Sequence, residues 1–152
     1  FYIIPEDNSI ENVLSPLGDN ATGIIGEGSA ATNLPPWVGS LTAIECDAGY
    51  WLTVSEAVTL DIEGFQCGGA NQLYSIHEGV NLISYPYGQS NTISAAIPDL
   101  FEGYFSAIIG EGTAAVQTSP GNWVGSLTEL EPGKGYWFKS SAGFIFAFDP
   151  PE

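Results

Sequence analysis

The sequence predicts a mainly β fold, β-rich α+β in class, built as two tandem homologous repeats that are each a small sheet with one short helix. Three observations carry that expectation. The first is a duplication: Ile24-Ile25-Gly26-Glu27-Gly28-Ser29-Ala30-Ala31 returns as Ile108-Ile109-Gly110-Glu111-Gly112-Thr113-Ala114-Ala115, and Trp37-Val38-Gly39-Ser40-Leu41-Thr42 returns unchanged as Trp123 to Thr128. Its period is 84 residues before Pro35-Pro36 and 86 after it, larger than solenoid units and fitting two copies of a small domain. The second is composition: 152 residues, 44% hydrophobic and 12% aromatic, suffice to bury a core, while 19 glycines and 10 prolines favour short strands and turns. The third is abundant Val, Ile, Thr and aromatic residues in short runs bounded by turn residues.

The elements follow in order. In the first copy Asn8-Ser9-Ile10 opens a helix carrying Val13, Leu14 and Leu17, stopped by Pro16 and Gly18. Strands are expected at Thr22 to Ile25, Trp37 to Leu41, Tyr50 to Val54 and Ala57 to Ile62, with turns at Gly26-Glu27-Gly28 and Asp47-Ala48-Gly49. In the second copy Leu73 to Ile76 and Val80 to Tyr85 read as strands around the polar turn His77-Glu78-Gly79. Asn91-Thr92-Ile93 then opens a helix in which Ile93, Ala96, Ile97, Leu100 and Phe101 share helical spacing, limited by Pro98 and Gly103. Strands follow at Phe105 to Ile109, Trp123 to Leu127, Tyr136 to Lys139 and Phe144 to Phe148. The expected organisation is a first repeat over residues 1–64, a Gly-rich junction at 65–72 and a second repeat over 73–149.

The copies differ at their openings. The second owns the strand region Leu73 to Ser84, whereas the first begins near the equivalent of Tyr85, at Phe1-Tyr2-Ile3-Ile4. An open strand edge is therefore expected around Phe1, Tyr2, Ile3 and Ile4, because an unfilled slot exposes backbone N–H and C=O groups. Three outcomes are open: upstream residues fill the slot, a neighbouring chain adds a strand, or the sheet is smaller. The start at Phe1 and the absence of Met read as a mature or excised part of a longer product, although a processed start alone looks the same.

Charge excludes some partners. Eighteen Asp and Glu face only Lys134 and Lys139, a formal net charge of −16, so nothing is available to displace counterions from phosphate backbones or anionic headgroups. Nucleic acid and membrane surfaces are not expected partners. No apolar run approaches the roughly 20 residues that span a bilayer, and no signal peptide is recognisable. Scattered carboxylates suit a saline extracellular setting, where salt screens their repulsion. Cys46 and Cys67 lie 21 residues apart without metal-ligand companions, which predicts a disulfide over the alternative of two buried free thiols.

Gly79-Val80-Asn81-Leu82-Ile83-Ser84, a short helix, and then Leu127-Thr128-Glu129-Leu130-Glu131-Pro132-Gly133-Lys134-Gly135-Tyr136-Trp137-Phe138-Lys139 form one further pattern. It resembles the repeat of bacterial secreted and surface proteins and of marine phage virion proteins that opens on "GWNLIS" and closes on "L-x-PGKGYW". Val80 stands where that repeat has Trp, and the first copy has Ile44-Glu45-Cys46-Asp47-Ala48 in place of Leu130 to Lys134. The resemblance implies an extracellular or virion accessory module and carries over no catalytic residue.

Chemistry-bearing patterns are sparse. The only histidine, His77, falls in a predicted turn, where a solvated side chain is expected, and it has no counterpart in the first copy. Glu27 and Glu111 recur, as do Glu45 and Glu131, and recurrence in both copies is what structural residues show. Gly-Glu-Gly lacks the following helix or Lys of a phosphate loop and reads as a turn. Glu6-Asp7-Asn8 with Glu11, and Asp19-Asn20, are oxygen-rich enough for Ca²⁺ but match no Ca²⁺-loop pattern, so solvated loops are expected and no cofactor is. Trp37, Trp51, Trp123 and Trp137 occupy matched positions, a candidate glycan or partner surface, with core packing the plainer expectation. The resulting expectation is a non-enzymatic structural or adhesive module of an extracellular, cell-surface or virion assembly. It would act through contacts with other protein subunits, copies of itself included, and by β-strand addition; the alternative is a glycan- or Ca²⁺-binding module.

Overall fold

The computed structural model describes every residue from Phe1 to Glu152. The chain is mostly β. In the first copy β1 (Ile3–Ile4) precedes α1 (Ile10–Leu14), which runs on as a 3-10 segment (Ser15–Asn20). Then come β2 (Ala21–Gly26), β3 (Ser29–Asn33), β4 (Trp37–Gly39), β5 (Trp51–Val54) and β6 (Phe65–Gln66). The second copy has β7 (Tyr74–Ile76), β8 (Gly79–Ser84), β9 (Asn91–Thr92), α2 (Ile93–Ala96), α3 (Asp99–Glu102), β10 (Phe105–Gly110), β11 (Thr113–Ser119), β12 (Asn122–Gly125), β13 (Glu129–Leu130), β14 (Gly135–Ser140) and β15 (Phe144–Phe146).

Two antiparallel sheets dominate, ordered β4-β3-β2-β5 and β12-β11-β10-β14-β8. Their registers match across the duplication: Ile24 lies opposite Ala31 and Leu52, as Ile108 lies opposite Ala115 and Phe138. The duplicated letters have a steric cause. A Cβ on Gly39 would come within 2.1 Å of the Ala30 carbonyl oxygen, and one on Gly125 equally close to that of Ala114, so only glycine lets these hairpins close. Gly28 and Gly112 take φ of +71° and +68° in the tight turn that precedes β3 and β11.

The Ser29–Asn33 and Thr113–Ser119 strands go beyond the elements expected from sequence. Three expectations about the elements need correction. Ala57 to Ile62 forms no strand, whereas its counterpart β15 pairs with β7. The first copy has no counterpart of β7, and an extended segment without a partner makes no ladder. The single helix of the second copy is two one-turn helices, because Ile97, ahead of Pro98, is extended (ψ 121°) and leaves Leu100 exposed. The junction is more than a linker: its β6 pairs with β1, so Ile3 and Ile4 face Gln66 and Phe65. Cys67 N–H donates to the Tyr2 carbonyl at 2.8 Å, so one side of the segment Phe1 to Ile4 is paired within the chain.

Two cores lie under the sheets. The second is aromatic, with Tyr74, Tyr85, Phe105, Tyr136, Phe138, Phe146 and Phe148 all buried. The first is aliphatic and smaller, built on Ile10, Val13, Leu14, Leu17, Ile24, Leu41 and Ile44. Ser9 caps α1 by accepting from Asn12 N–H, and Thr92 caps α2 in the same way from Ala95 N–H.

Candidate functional site

The open edge lies on β5. Its counterpart β14 pairs with β10 on one side and β8 on the other, but β5 pairs with β2 alone. Beside it runs an apolar groove of about 310 Å³ lined by Phe1, Tyr2, Ile3, Ile24, Tyr50, Leu52, Leu60, Ile62 and Gly133. Comparing counterparts shows what opens it. Tyr136, Phe138, Phe146 and Phe148 are at most 2% exposed, while Tyr50, Leu52, Leu60 and Ile62 are only half-buried. In the second copy Tyr74 of β7 packs its ring 5.6 Å from Phe146 and 5.1 Å from Phe148, and Ile76 and Ile83 join the same core. Nothing in the first copy takes their place. Half-buried aliphatic and aromatic side chains around a groove leave apolar area that a partner would remove from water.

The two copies meet along a seam beside this edge. Gly49 and its counterpart Gly135 pack together: a Cβ on Gly135 would sit 3.0 Å from the Gly49 Cα, and one on Gly49 only 2.8 Å from the Ile83 carbonyl oxygen. Gly49 N–H donates to Leu82 C=O at 2.9 Å, Ser84 N–H to Asp47 C=O at 3.3 Å, and the Ser84 hydroxyl to Cys46 C=O. The outer edge of β8 is thus covered from Leu82 to Ser84 by residues 46–49 of the first copy.

Glu27 completes the seam. One of its carboxylate oxygens accepts from Leu82 N–H at 2.7 Å, and the other lies 2.6 Å from His77 Nε2. The turn histidine is therefore not merely solvated: Glu27 first, and then the Glu78 carbonyl at Nδ1, raise its pKa above the ordinary value. Glu111, the counterpart of Glu27, has no such partner; with Tyr50, Trp51, Leu52, Gly133, Lys134 and Gly135 it lines a cleft of about 210 Å³ along β5. Lys134 is drawn instead to Glu131, with Nζ 3.1 Å from Oε2.

Other sequence-flagged residues have definite places. Cys46 and Cys67 form a disulfide that ties the turn before β5 to the junction. Trp37 and Trp123 pack against the two cores, while Trp51 and Trp137 alternate with the core-facing residues of β5 and β14, so the four form no common face. Trp123 N–H donates to Glu102, a buried carboxylate that sequence reasoning passed over and that also accepts from the Ser94 hydroxyl, both at 2.8 Å. Its only sequence signal was the need of a Trp N–H for an acceptor. Glu45 and Glu131 recur for their backbone: each N–H donates to the Tyr50 or Tyr136 hydroxyl at 2.8 Å.

In the oxygen-rich loops several polar groups bond to neighbours within the chain. Asp7 accepts from Ser9 N–H, the Asn8 amide donates to Ile44 C=O, and Asn20 accepts from the Ser55 hydroxyl. No helix is long and apolar enough to cross a membrane.

Comparison with protein families, curated proteins and solved structures gave no match to this chain.

Proposed function

We propose that this chain is a structural module that joins a larger extracellular, cell-surface or virion assembly through protein contacts, with the free edge of β5 as its point of attachment. One observation supports this above the others: β5 has a single strand neighbour and an open apolar groove beside it, where the matching strand β14 has two neighbours and a filled core. Sheet edges left unpaired are templates for strand addition, in which backbone hydrogen bonds give affinity and side-chain pockets give selectivity. The disulfide and the strongly acidic composition suit an oxidising, saline setting outside the cell. The mechanism is geometric: two short-looped sheets held by a hydrogen-bonded seam present one edge to a partner.

The test is amide exchange. In the assembly that contains this chain, the amides of Trp51–Val54 exchange more slowly than in the isolated 152-residue chain. Equal exchange in both forms would remove the β5 edge as the attachment point.

A further inference from the structure

We infer that the groove and the β5 edge are the docking site of a β-hairpin with the side-chain pattern of Leu73 to Ser84, supplied by protein outside residues 1–152, and that Glu111 fastens its backbone. The inference rests on the reading of β5 as a protein contact and names the partner. Its template is inside the molecule. In the second copy that hairpin lays Ile83 opposite Tyr136, Leu82 opposite Trp137 and Asn81 opposite Phe138, and it sends Tyr74 and Ile76 into the core. The counterparts of Tyr136, Trp137 and Phe138 are Tyr50, Trp51 and Leu52, the residues along the groove and the cleft.

A lone strand would satisfy β5 only. The segment Ala57 to Ile62, whose counterpart β15 pairs with β7, also lacks a partner, and Leu60 and Ile62 line the groove. Two unpaired segments on either side of one groove call for two strands, hence a hairpin. The hairpin places an apolar side chain opposite Tyr50 and an aromatic and an aliphatic side chain over Leu60 and Ile62.

The seam supplies the polar half. Glu27 of the first copy reaches β8 of the second, accepting from Leu82 N–H and pairing with His77. Its counterpart Glu111 lines the cleft along β5 together with Trp51. A docked hairpin presents there the N–H equivalent to that of Leu82, together with whatever donor stands at the place of His77. Glu111 is thus a selecting residue, favouring a hairpin with a cationic or N–H donor at that position.

The test joins an added copy of Leu73 to Ser84 directly ahead of Phe1 in the otherwise intact chain, because Ser84 leads into Tyr85 and the first copy begins near the equivalent of Tyr85. Amide exchange in Trp51–Val54 is expected to slow by roughly tenfold or more. Glu111→Gln in the fused protein gives back part of that slowing. An added hairpin with serine at the places copied from Tyr74, Ile76 and Ile83 gives none of it. Unchanged exchange in the fused protein, or equal slowing by the serine hairpin, overturns the inference. Protection of β5 in the unfused chain that grows with its own concentration makes a second copy the occupant; that outcome overturns the hairpin while the protein-contact reading stands. Fast exchange of β5 in the parent assembly as well defeats both.

Discussion

Glu27 Oε1 lies 2.6 Å from His77 Nε2, a contact between residues 50 apart in sequence that joins the Gly-Glu-Gly turn of one copy to the hairpin turn of the other. The bond raises the pKa of His77, so the pairing contributes fully below the unfolded value of about 6.5 and is lost as pH rises through the higher folded value. Exchange at Leu82 N–H, which donates to the same carboxylate, is expected to quicken across that window beyond its intrinsic pH dependence. His77→Gln removes this excess; an unchanged profile in the variant would assign it to another group.

The seam tolerates no side chain at Gly49. A Cβ there meets the Ile83 carbonyl oxygen at 2.8 Å and Leu82 Cδ1 at 2.9 Å, and a carbonyl in a paired strand cannot yield as a flexible side chain can. Gly49→Ala is expected to cost about 1–3 kcal/mol, the usual range for overpacking. Denaturant unfolding measures it, and exchange at Leu82 and Ser84 should quicken more than at Ile108, which lies away from the seam.

Much of the fold was legible because inward residues are apolar and their neighbours are not. Tyr74 and Ile76 face inward on either side of the polar Ser75, and β7 follows. Ser29–Asn33 escaped because its inward residue is Ala31, which carries no hydrophobic contrast; the tight approach of Gly39 to Ala30 and Ala31 demands small residues there. Ala57 to Ile62 was read as a strand by analogy with Phe144 to Phe148, but a strand also needs a partner, and pairing is a long-range fact. The alignment of the copies shows that the first lacks the letters of an opening hairpin, but not that β5 is the strand left with one neighbour. Which strand is left unpaired depends on sheet order, and neither the β1–β6 pairing nor the Glu27 contact leaves a periodic trace.

Reduction of the Cys46–Cys67 bond should act at two levels. The bond closes a loop of 21 residues, for which chain entropy predicts about 3 kcal/mol. It also holds the turn whose Cys46 and Asp47 carbonyls accept from Ser84. A reductant, or Cys46→Ser with Cys67→Ser, is therefore expected to lower the unfolding midpoint and to loosen Ser84. Loss of stability without a change at Ser84 would confine the role of the disulfide to the unfolded chain.

Tyr85 offers the reverse effect. It is fully buried among Tyr87, Tyr136 and Phe148; burial first, and then the neighbouring Tyr87 and Tyr136, push its pKa up to about 12, and its hydroxyl has no hydrogen-bond partner in the protein. A buried hydroxyl without a partner keeps its desolvation cost, about 1–3 kcal/mol, with no bond to offset it. In the first copy the ring that meets Tyr50, the counterpart of Tyr136, is Phe1, edge-on at 6.0 Å and without a hydroxyl. Tyr85→Phe should accordingly leave the fold intact and raise stability by up to about 1 kcal/mol, less than the full desolvation figure because packing around the lost oxygen relaxes incompletely. Thermal unfolding of the variant decides it: a drop of 1 kcal/mol or more would show that the hydroxyl is bonded in solution.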